Sequence, residues 1–163
     1  MSQSRKIVLL GQFGVGKTSL LERFLTDSFS ENYKTTLGVA IKKKDITLPS
    51  GKTLSMIIWD LEGFSTVEKI RSSYLLGSHG FVYVFDLSRP VTYYNLKEEL
   101  EYVATRYPDV VVKVIGNKLD LKNPRGVNEF LLSKGIQTDA FVSAKTGEGV
   151  HQLFMDMGSA LDN

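Results

Sequence analysis

Residues 11 to 18, Gly11-Gln12-Phe13-Gly14-Val15-Gly16-Lys17-Thr18, fill every position of G-x-x-x-x-G-K-[ST]. That pattern binds phosphate. Its glycines let the backbone curl so that successive N–H groups point at phosphate oxygens. The helix that follows adds its positive N-terminal end. Lys17 can reach the β- and γ-phosphates, and the Thr18 hydroxyl can ligate Mg²⁺. Gly11, Phe13, Gly14, Val15, Gly16 and Ser19 complete the expected phosphate contacts. The bland alternative is a glycine-rich turn before a helix. Against it, the apolar run Ile7-Val8-Leu9-Leu10 leads in and a helix-like stretch over 17–27 leads out, the strand–loop–helix context the motif requires.

The phosphate loop names a triphosphate and not a base. The base is named by Asn117-Lys118-Leu119-Asp120. The Asp120 carboxylate can accept two parallel hydrogen bonds from the N1–H and 2-amino group of guanine. Adenine offers neither, and would leave a buried charge unpaired. Asn117 would tie this loop to the phosphate loop, and the Lys118 stem can cover the base face. Ser143-Ala144-Lys145 supplies the second half, with the Ala144 N–H aimed at guanine O6. An N-capping turn is the plain reading of N-K-x-D by itself; the second motif at the next strand end argues against it.

Asp60-Leu61-Glu62-Gly63 matches D-x-x-G. Asp60 would hold Mg²⁺ through water, and the Gly63 N–H would bond the γ-phosphate. Thr36 lies in a polar loop where its hydroxyl could complete the Mg²⁺ shell, with Thr35 beside it. The expected metal set is therefore Thr18, Thr36 and Asp60.

These motifs need a scaffold. At 163 residues the chain suits one domain with a sizeable core. A net charge of +2 gives no sign of a nucleic-acid partner. Cysteine is absent, which excludes disulfides, a Cys-based zinc site and a lipid on a cysteine of this chain, and fits a reducing compartment. No apolar run is long enough to span a membrane. Strands are expected at about 5–10, 38–48, 53–59, 81–85, 110–115 and 140–142. Helices are expected at about 17–27, 67–76, 91–106, 124–134 and 149–161. The second and third strands flank Leu48-Pro49-Ser50-Gly51-Lys52 and read as an antiparallel hairpin. Strands alternating with helices imply a doubly wound, mostly parallel α/β sheet, whose ligands bind beyond the strands' carboxyl ends.

In order along the chain, these motifs resemble those of the Ras superfamily of small GTPases, and most closely the Rab branch. The Rab-like detail is Thr36-Leu37-Gly38-Val39, Ile58-Trp59-Asp60 and the stretch from Ser72 to Gly80. The resemblance covers essentially the whole chain as a single G domain, 1–163. It implies a P-loop NTPase fold with six strands, one of them antiparallel, and helices on both faces. It also implies a guanine-nucleotide switch that binds GTP and GDP with Mg²⁺. Phe29 would pack edge-on against the guanine and Tyr33 would close over the phosphates. Residues 30–38 would be switch I and 60–76 switch II. Effectors, exchange factors and activating proteins would read these switches, with Ile41, Trp59 and Tyr74 standing where Rabs carry an aromatic triad. Rab-like proteins work in the cytoplasm, often at membranes, which here would need a partner or a further tail.

Two residues depart from that pattern. The residue after Gly63, normally the Gln that orients the attacking water, is Phe64. The third phosphate-loop position, usually small, is Phe13. A phenyl ring cannot hydrogen-bond to water, so slow hydrolysis is expected, with Lys17, Thr36 and Gly63 still contributing. Three readings stand side by side: a slow GTPase, a rewired one in which Glu62 or a partner orients the water, and a pseudo-GTPase that keeps GTP as a structural ligand. Phe13 and Phe64 stacking on each other is compatible with all three. An ATPase or kinase is opposed by Asp120. Lys42-Lys43-Lys44 reads as a solvated edge more readily than as a docking patch, and His79 and His151 as structural.

Overall fold

The computed structural model describes residues 3–30 and 38–162. Six strands form one sheet: β1 (Gln3–Leu10), β2 (Val39–Thr47), β3 (Thr53–Leu61), β4 (Gly80–Asp86), β5 (Val111–Asn117) and β6 (Ala140–Phe141). Their order is β2-β3-β1-β4-β5-β6. Among the described residues only the β2–β3 pair is antiparallel. The helices are α1 (Lys17–Thr26), α2 (Ser72–Leu75), α3 (Leu96–Arg106), α4 (Arg125–Ser133) and α5 (Val150–Ala160). The expected α/β sheet is therefore present, with its one antiparallel strand.

The central strands are apolar at consecutive positions because both faces are covered. On β1, Ile7 and Leu9 pack with Leu20, Leu21 and Phe24 of α1 and Leu153, Phe154 and Met157 of α5. Val8 and Leu10 point the other way, among Leu96 and Val103 of α3 and Val127 and Leu131 of α4. Phe24 and Phe154 stack at 4.1 Å between centroids, worth about 0.5–1.5 kcal/mol beyond the area they bury. β1 lies between β3 and β4, where the chain's winding reverses. A crevice opens at that point in such sheets, and the phosphate loop emerges from β1 into it.

Three expected elements differ. The third strand runs on to Leu61, paired with Val39, so Asp60 is a buried strand residue. The expected helix over 67–76 is a single 3₁₀ turn, Val67–Lys69, followed by four-residue α2. Ile70 and Arg71 break it with extended backbone (ψ 138° and 123°), which sends the Ile70 side chain into the core. The expected helix over 91–106 begins at Leu96, after a 3₁₀ turn at Pro90–Thr92. There the Thr92 hydroxyl accepts from the Asp86 N–H at 2.9 Å and lies 2.8 Å from the Arg89 carbonyl. Such side-chain bonds compete with helix formation. Lys42 and Lys43 are exposed as expected of a sheet edge, but Lys44 is not. Its ammonium donates to the Phe24 carbonyl at the end of α1 and sits 4.3 Å over the Phe24 ring.

Glu99 is a buried carboxylate on α3. It accepts the Val67 N–H at 2.9 Å and so holds the 3₁₀ turn against α3. Burial pushes its pKa up, the Val67 bond pulls it down, and the Glu68 and Glu98 carboxylates push it further up. A carboxyl raised in the fold takes up a proton on folding, from its raised pKa down to the unfolded value of about 4.3. Native protein is therefore expected to gain stability relative to Glu99→Gln as pH falls from neutral towards 5. Urea midpoints of both proteins across that range check it; a pH-independent difference contradicts it.

Candidate nucleotide-binding site

A cavity of about 410 Å³ opens along the carboxyl edge of the sheet. From the phosphate loop it takes Phe13, Gly14, Gly16, Lys17, Thr18 and Ser19. From the far end it takes Asn117, Lys118, Asp120, Ala144 and Lys145, and Phe29 and Gly63 line its walls. Thirteen of the expected contact residues are thus brought together. Ser30, Leu61 and Leu121 also line it; Leu61 is a variable position of D-x-x-G, and the other two stand outside the nucleotide motifs.

The phosphate loop is held by its carbonyls. Lys17 Nζ donates to Gly11 O at 2.9 Å and Gln12 O at 3.2 Å. Arg89 Nη1 donates to Phe13 O at 3.1 Å. Lys118 Nζ donates to Gly14 O at 3.0 Å, and Asn117 Nδ2 to Val15 O at 2.9 Å. Gly16 has a φ of +101°, and a Cβ there would stand 2.3 Å from Asn117 Nδ2, so only glycine permits this closure. The Lys17 side chain is buried, and burial lowers its pKa to about 8, while the Asp60 carboxylate acts in the opposite direction. A buried ammonium aimed at a cavity suits an anionic ligand.

Thr18 Oγ1 donates to Asp60 Oδ2 at 2.6 Å, so two of the three expected metal residues are adjacent. Thr36, the third, lies outside the described residues, as do Thr35 and Tyr33. A hydroxyl and a carboxylate side by side, next to a phosphate cradle, fit the few protein ligands that Mg²⁺ takes when phosphates complete its shell.

At the base end, Ser143 does not line the cavity. It donates to Asp120 Oδ1 at 2.6 Å and so positions that carboxylate. The Ala144 N–H, expected to face guanine O6, donates to Asn117 Oδ1 at 3.1 Å; the nearest buried acceptor takes it. Asn117 thereby staples the phosphate loop to the 143–145 loop. Lys118 adopts a left-handed φ of 71°. Its ammonium bridges Gly14 O and, at 2.7 Å, the fully buried Asp86. Arg23 of α1 supports the same loop by donating to Ala144 O at 2.9 Å. Arg23, Asp86 and Arg89 belong to none of the nucleotide motifs. A charged residue just past a strand's carboxyl end was the available signal for the last two.

Gly63 lies against the phosphate loop. A Cβ there would come within 2.4 Å of Phe13 N and Cα, backbone that cannot yield. Phe64 is half-buried and packs against the core cluster that includes Leu61, Val67 and Leu96. Glu62 does not line the cavity. Its Oε2 accepts the Gly38 N–H at 2.8 Å, and its own N–H donates to Gly38 O at 2.8 Å. The carboxylate expected as a water-orienting group is engaged with the end of β2. Gly11 and Val15 do not line the cavity, and a Cβ on Gly11 would stand 2.3 Å from Val84 O.

A family model described as Ras family matches residues 6–163. The chain belongs to the Ras family. Ras-family proteins are guanine-nucleotide-binding switch GTPases that typically use Mg²⁺ and act through regulators and effectors. The cavity described above occupies the position such a nucleotide needs, between a phosphate loop and an Asp-bearing base loop.

Because Asn117 pairs two buried groups from separate loops, Asn117→Ala leaves the Val15 carbonyl and Ala144 N–H unmatched. The expected loss is about 2–4 kcal/mol of stability, with nucleotide affinity falling alongside. Urea unfolding and nucleotide titration of the variant check both.

Proposed function

We propose that this chain is a Rab-like GTP/GDP switch that holds Mg²⁺ and hydrolyses GTP slowly. The observation that carries the slow step is the pairing of Phe64 with Glu62. The side chain after Gly63 is a hydrocarbon packed on the core. The nearby carboxylate is bonded to Gly38. Phe64 offers no hydrogen bond to a water at the phosphate end of the cavity, and Glu62, held at Gly38, does not line it. Positioning and charge supply most of the catalysis in phosphoryl transfer. What remains is Lys17, Gly63 and the N–H groups of the phosphate loop, with Thr36 expected to join them.

The residues divide the work as follows. Lys17 and the loop N–H groups neutralise and orient the phosphates. Thr18, Asp60 and Thr36 would hold Mg²⁺, which when bound draws off charge from the phosphate oxygens. Asp120, fixed by Ser143, pairs with the guanine edge, while Phe29, the Lys118 stem and Lys145 flank the base. Effectors would read Ile41, Trp59 and Tyr74. Ile41 is 50% exposed and pairs across the hairpin with Trp59. Trp59 stands 6.3 Å from Tyr74. Lys6 lies 3.8 Å over the Trp59 ring and donates to Tyr74 O at 2.7 Å. These roles suit a cytoplasmic protein that meets membranes through a partner or a tail.

The close seat of Gly63 on Phe13 favours a second reading, a pseudo-GTPase that retains GTP as a structural ligand. Hydrogen exchange in residues 60–76 separates the two: a switch exchanges differently with GDP and a GTP analogue, a pseudo-GTPase does not.

Single-turnover hydrolysis of pre-loaded GTP with Mg²⁺ tests the slow step. The native rate is expected well below the 10⁻⁴ s⁻¹ order of unassisted Ras, and Phe64→Gln is expected to raise it. A native rate matching Ras would sink the proposal. Separately, Asp120→Asn is expected to weaken guanine binding and admit xanthine, because the amide can donate to xanthine's 2-oxo group. Competition between GDP and XDP reads that exchange of preference.

A further inference from the structure

The peptide between Phe13 and Gly14 needs an external anchor. Gly14 has a φ of +79°, and glycine tolerates either sign, so this peptide plane can turn over at little cost. The peptide is trans and planar, so its carbonyl and its N–H point in opposite directions. Whatever holds the Phe13 carbonyl therefore decides where the Gly14 N–H points.

The holder is Arg89, in the connection between β4 and α3. Its Nη1 donates to Phe13 O at 3.1 Å. The same nitrogen stands 3.9 Å from Oδ2 of Asp86. Asp86 is itself fixed, because its Oδ1 accepts both the Ser88 N–H at 2.8 Å and the Ser88 hydroxyl at 2.6 Å. A second tie runs beside it, from Gln12 Nε2 to Val91 O at 2.8 Å. Gly14 lines the cavity and Arg89 does not. The carbonyl is thus drawn outward and the N–H inward. The next two carbonyls also bond to side chains, Gly14 O to Lys118 and Val15 O to Asn117. Those two donors belong to the base-recognition motif; Arg89 belongs to no motif.

We propose that Arg89 is a positioning residue of the phosphate loop, which by holding the Phe13 carbonyl aims the Gly14 N–H at the nucleotide's phosphates. The inference rests on the guanine-nucleotide reading. Through Asp86, Arg89 shares an anchor with Lys118, so the base loop and the phosphate loop are braced on one buried carboxylate.

The test uses Arg89→Met, which keeps the stem and removes the donors, Arg89→Lys, and Arg125→Met as an exposed control on α4. Two quantities are read: the Gly14 amide resonance of ¹⁵N-labelled protein, and the release rate of a fluorescent GDP analogue with Mg²⁺. Arg89→Met is expected to move the Gly14 amide and speed release about 5- to 20-fold, the scale of one charge-assisted hydrogen bond from a partly exposed donor. Arg89→Lys should recover part of both, since an ammonium can reach the same carbonyl, and Arg125→Met should change neither. Release within twofold of native, or an unmoved Gly14 amide, overturns the proposal. If the native protein retains no GDP, the guanine-nucleotide reading falls. Titration with inorganic pyrophosphate then decides Arg89's role: the Gly14 amide must respond in native protein and lose that response in Arg89→Met, and an equal response in both overturns it.

Discussion

A loop can turn its N–H groups towards an anion only if its carbonyls find donors elsewhere. Five consecutive carbonyls, from Gly11 to Val15, meet that demand here through Lys17, Arg89, Lys118 and Asn117. Three of the four donors are cationic, which strengthens each bond and adds positive potential around the cavity. They come from the start of α1, the connection after β4 and the end of β5. No local stretch of chain could supply them together. The parallel order β3-β1-β4-β5 brings them to one edge, and the buried apolar faces of β1 and β4 hold that order. The core is therefore what makes the site possible, well before any nucleotide arrives.

The segment after β3 shows a different balance. Its polar groups are spent on structure: Glu62 on Gly38, and the Val67 N–H on Glu99. Its aromatic, Phe64, joins the core. Each contact favours one arrangement of this segment over others. The Phe64 ring adds buried apolar surface to this segment.

The strands and the cavity were legible because their signals are local. Consecutive apolar residues mark β1, β4 and β5, and the nucleotide motifs fall just beyond strand ends. Helix limits were less legible where side chains compete with the backbone. Thr92 and its neighbours consume a turn that periodicity assigns to a helix. Ile70 leaves the helical path to reach the core. Residues that support the site from behind were least legible. Asp86, Arg89 and Arg23 act through other residues, so their spacing follows tertiary contact and not any sequence period. The Ala144 N–H shows the same limit: its partner, Asn117, lies in a separate strand.

The chain contains one tryptophan, Trp59. It is half-buried at the junction of the hairpin with α2, beneath the Lys6 ammonium and beside Tyr74. A cation over an indole face shifts the energy and lifetime of its excited state. Lys6 is held there by the carbonyls of Tyr74 and Leu76, on the segment that follows the D-x-x-G motif. Any displacement of that segment moves the ammonium relative to the ring. The protein thus carries an intrinsic optical gauge of its own α2 region, with no second indole to obscure the signal.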